Sequence, residues 1–204
     1  MTRSSLDIFA RVYARAGQEE ALAEVLVTHL PEVRATAGCL VIHDYRAVRD
    51  PRLLYIHSRW TGPDAFEQYA RSTRTERFVS NAEGRMQNPP LQALRTTAII
   101  PAATPDTAGG LYIFAPLHAR AGNESAVEEA LRAVHVPTTR EAGCIAHHAY
   151  RGTRDRQLFY VYSVWQHEAA FDNHIGLTHT RKFSAQMDGL LNGPLEVTRA
   201  TQIG

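Results

Sequence analysis

The sequence predicts an α+β protein made of two ferredoxin-like β-α-β-β-α-β modules, their antiparallel sheets packed face to face as a barrel within one chain. Three observations lead there. First, a shift of 105 residues lays the chain on itself: Ala14-Arg15-Ala16-Gly17 falls on Ala119-Arg120-Ala121-Gly122, and Ala37-Gly38-Cys39 on Ala142-Gly143-Cys144. Tyr45-Arg46, Trp60, Ala65-Phe66 and Phe78 likewise fall on Tyr150-Arg151, Trp165, Ala170-Phe171 and Phe183. No gap is needed from Ile8 to Phe78, and over a third of those positions are identical, too many for chance. Second, each copy alternates strand-like and helix-like stretches in one fixed order. Third, that topology covers only one sheet face with helices, and twin modules can bury their second faces together.

The elements follow in order. Leu6 to Ala14 is rich in apolar and aromatic residues and reads as a strand, which Gly17 breaks. Leu22, Val25, Leu26, Leu30 and Val33 then recur at helical spacing, with Glu19, Glu20 and Glu24 early, where the helix dipole favours acids. Val127, Ala130, Leu131 and Val134 repeat the pattern after Glu124. Pro31 and Pro137 fall late in these helices and predict a kink or an early stop. Cys39 to Arg46 and Leu53 to Trp60 form an antiparallel hairpin. Thr61-Gly62-Pro63-Asp64 has capping-box spacing and opens a second helix bearing Ala65, Phe66 and Tyr69. An irregular helical stretch runs to Met86, and Leu91 to Ile100 supplies the fourth strand. The modules therefore span 1–100 and 111–204, with 101–110, which holds two prolines and a Gly-Gly, as the linker.

Composition narrows the function classes. The 204 residues are 44% hydrophobic and 21% charged, with a net charge of +1, which draws the chain neither to nucleic acid nor to membranes. Charged residues interrupt the start of the chain and no run reaches the ~20 apolar residues of a membrane span, so a cytoplasmic protein is expected. Cys39 and Cys144 occupy equivalent positions, and a reducing compartment disfavours pairing them. No GxGxxG follows a strand, and P-loop, GxSxG, HExxH and CxxC motifs are absent. The loop arginines Arg46, Arg49, Arg52, Arg151, Arg154 and Arg156 read as solvated charges.

In the second copy, Ala142-Gly143-Cys144, Tyr150-Arg151, Ser163-Val164-Trp165, Ala169-Ala170-Phe171-Asp172-Asn173-His174 and Thr178-His179 follow one another. This succession resembles the antibiotic biosynthesis monooxygenase family, and the resemblance covers nearly the whole chain as two fused copies. It implies a dimeric α/β barrel made covalent, and a cofactor-independent oxidation of a phenolic, quinol or anthrone-type aromatic to a quinone with O2. The family also contains haem-degrading enzymes, which need a helix Trp followed ten residues later by His. Here those places hold Tyr69 and Val79, and His174 and Ser184. The polyketide-oxidising members carry Asn four residues before the strand Trp, where this chain has Ile56 and Val161. Two other readings stay open: a non-catalytic module that binds a small aromatic, and an isomerase of the autoinducer-processing kind.

Seven of the ten histidines lie in the second half, and at the family-like positions His174 and His179 replace Tyr69 and Arg74. One functional pocket in the second copy is therefore expected. His174 is the expected base and His179 the second candidate, since an imidazole titrates near neutral pH. Trp165 would stack on the substrate, Tyr150 and His148 would donate hydrogen bonds from one strand face, and His118 is a further contact. No metal is expected, because five residues on a continuous helix rotate about 140° and part His174 from His179. The expected partners are a small aromatic substrate and O2. The internal pseudo-dimer leaves open whether the chain pairs again.

Overall fold

The computed structural model describes residues 5–89, 91, 93–100 and 110–204. It divides into two compact units, Met1–Thr97 with Thr201–Gly204, and Ala98–Ala200. The expected linker at 101–110 lies, apart from Gly110, outside the described residues.

Unit 1 begins with β1 (Leu6–Tyr13), α1 (Glu19–Arg34), β2 (Cys39–Ala47) and β3 (Leu53–Trp60). It continues through α2 (Pro63–Ala70), α3 (Thr73–Glu83) and β4 (Ala93–Ala98), whose strands lie in the order β4-β1-β3-β2. β1 runs antiparallel to β3 from Leu6 opposite Trp60 to Tyr13 opposite Leu53. Unit 2 repeats this with β5 (Leu111–His118), α4 (Glu124–Thr138), β6 (Cys144–Gly152) and β7 (Leu158–Trp165). Its remaining elements are α5 (Glu168–Gly176), α6 (Thr178–Leu190) and β8 (Thr198–Gln202), in the strand order β8-β5-β7-β6. The two modules and their antiparallel strands are thus those expected.

The Ala-Gly-Cys repeat has a geometric cause. Gly143 adopts φ +86°, and a Cβ there would stand 2.5 Å from the Ala170 Cβ of α5. Only glycine combines the left-handed backbone with this close approach of helix and strand. A bulge between Cys144 and Ala146 shifts the register, and beyond it strand alternation points His147 and His148 to opposite faces of the sheet.

The helix-covered face of unit 2 is packed by Leu117, Leu131, Ala149, Phe159, Met187 and Leu191. The other face is not the plain apolar surface expected. In unit 1 it carries Asp7, whose Oδ1 accepts from His57 Nε2 at 2.9 Å and Arg59 Nε at 3.0 Å. In unit 2 it carries Tyr112, Phe114 and His148, each buried and in ring contact with the buried Tyr162.

Three local expectations need correction. The helices run through their prolines: α1 continues three residues past Pro31 and α4 one residue past Pro137. Thr61 does not cap α2; Gly62 is the N-cap with no side-chain bond, and Pro63 sets the first turn. The second helical stretch is two helices in each unit, broken at Arg71-Ser72 and at Leu177. Leu177 is extended (φ −75°, ψ 151°), which turns α6 away from the axis of α5. No helix among the described residues is long and apolar enough to cross a membrane.

Candidate functional site

Between the sheet of unit 2 and its helices lies a cavity of about 90 Å³. Ile113, Ala115 and Val161 form its floor, with Val134 of α4, Phe171 of α5 and Phe183 of α6 among its walls. Ile175 and Val197 line it and are about half exposed, which places an apolar rim where the cavity meets solvent. Its polar lining is sparse: His147, Ser163, His174, Thr180 and Ser184. A mostly apolar pocket with few convergent polar groups is the usual form of a small-molecule site.

His174 stands in the last turn of α5 and is 8% exposed. Its ring lies 4.7 Å from that of Trp165 and 5.6 Å from that of Phe171. Its Nδ1 meets the Glu141 carboxylate at 2.8 and 3.1 Å, and Thr180 Oγ1 at 3.3 Å. Glu141 also takes His179, whose Nε2 is 2.7 Å from Oε1. An acceptor-only carboxylate beside Nδ1 fixes the Nδ1–H tautomer of a neutral imidazole and leaves Nε2 with the lone pair. Burial holds His174 below its ordinary value, while the hydrogen bond and charge of Glu141 act against that. The ring is therefore a neutral, oriented imidazole at pH 7.

His147 enters the cavity from β6. Its Nδ1 lies 3.3 Å from Nδ1 of His135 on α4, so one ring of the pair must donate. Burial pushes His147 down to about 3, and the charges on His135, His174 and His148 add to it; burial also lowers His135.

The remaining expected site residues are placed as follows. Trp165 is fully buried, donates from Nε1 to Ser163 Oγ at 2.9 Å and backs His174 without lining the cavity. His179 belongs to the Glu141 cluster but not to the cavity lining. Tyr150 and His148 share one face of β6, opposite the face that His147 presents to the cavity. His118 is exposed at the end of β5, bonded to Asp155 at 3.1 Å and Asn192 at 2.8 Å. The argument that parted His174 from His179 fails because the helix is interrupted between them, and both converge on Glu141. Glu141, Thr180, His147 and His135 were missed. The repeat offered the signal for three of them, since their counterparts are Thr36, Ile42 and Leu30.

Those counterparts build something different in unit 1. Tyr69 stacks on Trp60 at 4.9 Å and its hydroxyl meets His29 at 2.9 Å. Leu30, Ile42, Trp60 and Phe66 pack as plain core. The space that holds an imidazole in unit 2 is filled by a phenol in unit 1.

The family model for antibiotic biosynthesis monooxygenase matches residues 8–81 and 111–186, most of each unit. The chain belongs to this family. A protein of Fusobacterium nucleatum, provisionally named a monooxygenase, superposes with a TM-score of 0.82 at 12% identity, over 100% of this chain and 94% of that one. An anthrone oxidase-like protein gives 0.79 at 11% identity, over 98% and 92%. A Lactobacillus acidophilus protein, also provisionally named a monooxygenase, gives 0.75 at 10% identity, over 98% and 94%. At these identities the likeness is one of fold. None of the curated proteins searched matches the sequence.

Proposed function

We propose that the chain is a monooxygenase that oxidises a small phenolic, quinol or anthrone-type aromatic with O2, using the cavity of unit 2. The observation that carries this is His174, which lines the one side of an apolar cavity while Glu141 engages its Nδ1. Membership of the monooxygenase family supports the reaction class.

His174 Nε2 takes a proton from the substrate, and Glu141 stabilises the imidazolium that forms. The electron-rich substrate anion passes one electron to O2, and the two radicals combine as a peroxide anion on a carbon that keeps its second hydrogen. Loss of water then leaves a new carbonyl, with His174 returning its proton to the departing oxygen. For an anthrone the balance is one CH2 and one O2 giving one C=O and one H2O. A general base of this kind is worth about 10²–10⁴-fold. The apolar walls keep water from the anion, and Ser163, Thr180 and Ser184 are the hydroxyl donors available to a developing oxyanion.

The cavity also bears on substrate size. At about 90 Å³ it is smaller than the ~150 Å³ cavity that holds one benzene, so substrate must widen it. A single ring demands the least movement of α5 and α6. The test is turnover of chelator-treated protein on a panel from one-ring quinols to three-ring anthrones, in air and under argon. Oxygen-dependent turnover in air alone is expected. Equal conversion under argon would mean isomerisation, and ligand-induced stabilisation without turnover would mean a binding module.

A further inference from the structure

We propose that Glu141, His174 and His179 form a binding site for one divalent transition cation of the zinc, cobalt or nickel kind. The ligand atoms, Glu141 Oε, His174 Nδ1 and His179 Nε2, all lie within 4.8 Å of one another. Glu141 Oε1 already stands 2.8 Å from the first nitrogen and 2.7 Å from the second. Donors about 2.0–2.2 Å from a tetrahedral ion lie about 3.3–3.6 Å apart, so an opening of about 0.5–0.9 Å between the carboxylate and each ring admits it. Two imidazole nitrogens and one carboxylate suit such a cation, whereas calcium and magnesium seek oxygen alone.

The surroundings support the same assignment. Three protein ligands leave a position open, and Thr180 Oγ1, 3.3 Å from His174 Nδ1, borders it. The His179 side chain is 27% exposed against 10% for Glu141 and 10% for His174, so an ion arrives past His179. The Cys144 thiol is not part of this cluster, which among the described residues comprises Glu141, His174 and His179 alone. In the first copy the same positions hold Thr36, Tyr69 and Arg74, which retain none of the donor set. The binding claim stands apart from the oxygenase reading. The two meet at one point: a metal on Nδ1 makes Nε2 an N–H and removes the acceptor from the cavity.

The test titrates the full chain, stripped with chelator and dialysed, with CoCl2 and with ZnCl2 by calorimetry, following the cobalt absorption. One ion per chain is expected, without a thiolate-to-cobalt band. Glu141→Gln and His179→Ala should each weaken binding by more than the about 10–100-fold that loss of an outer-shell partner costs. His118→Ala should leave it unchanged. Circular dichroism melts establish that each variant is folded; His179→Ala, at a partly exposed ring, carries the test if Glu141→Gln does not fold. No uptake by the folded parent, or the same affinity in His179→Ala, would overturn the proposal.

Discussion

Replacing His147 by Ile, the residue its twin position carries at Ile42, should flatten part of the acid dependence of stability. The folded ring is held down to about 3 by burial, and the unfolded ring titrates near 6.5. The folded value lies below the unfolded one, so this ring penalises folding only as pH falls under about 6.5. At pH 5 the unfolded chain carries the proton and the folded chain does not. That gap of about 1.5 units is worth about 2 kcal/mol at about 1.36 kcal/mol per unit, and it holds for any folded value under about 4. For a chain of this size 1 kcal/mol moves Tm by about 2–4 °C. The fall in Tm between pH 7.5 and pH 5 should therefore be about 4–8 °C smaller in His147→Ile than in the parent. Scanning calorimetry reads this directly, and the histidines that do not interact with His147 cancel because both proteins keep them. Equal falls would refute the buried, neutral His147.

Asp44 supplies the opposite slope. Burial pushes its carboxyl up to about 7, above the 3.8 of the unfolded chain, so the stability it confers is full below 3.8 and is lost as pH rises toward 7. The loss is at most about 4 kcal/mol, and Asp44→Asn should remove that slope from urea midpoints measured between pH 4 and 7. The same slope in the variant would place a charged, solvated Asp44 there. Gly143→Ala should cost about 2–5 kcal/mol, from the left-handed backbone and the clash with Ala170. Gly122→Ala, at φ +89° with nothing within 4 Å of the new Cβ, should cost about 1–2 kcal/mol in the same unfolding assay. Equal costs would mean that α5 does not press on Gly143.

The duplication made most of the fold legible. Glycines, tryptophans and apolar spacings recur at one offset, and periodicity locates α1, α4 and the hairpins within a residue or two. Helix continuity was less legible. Ile175-Gly176-Leu177-Thr178 contains no proline, yet the chain extends at Leu177, and the resulting turn is what gathers His174 and His179 on Glu141. Glu141 has no local signal, because its partners lie 33 and 38 residues away. The doubled His147-His148 sends one ring to each sheet face, and strand alternation alone does not say which face the helices cover. Comparing the copies at positions where they differ in polarity separates the two histidines: His148 repeats His43, whereas His147 replaces Ile42. A polar residue that appears in one copy, at a place its twin fills with core, marks where the second unit departed from simple packing.

The central claim is that chemistry resides in unit 2 through His174, while Tyr69 at the twin position only fills space. Oxygen consumption above the spontaneous rate, measured with a one-ring quinol, tests it most directly in His174→Ala and Tyr69→Phe side by side. The account predicts a loss of about 10²–10⁴-fold in the first and a parental rate in the second. A parental rate in His174→Ala, or matching losses in the two, would contradict it.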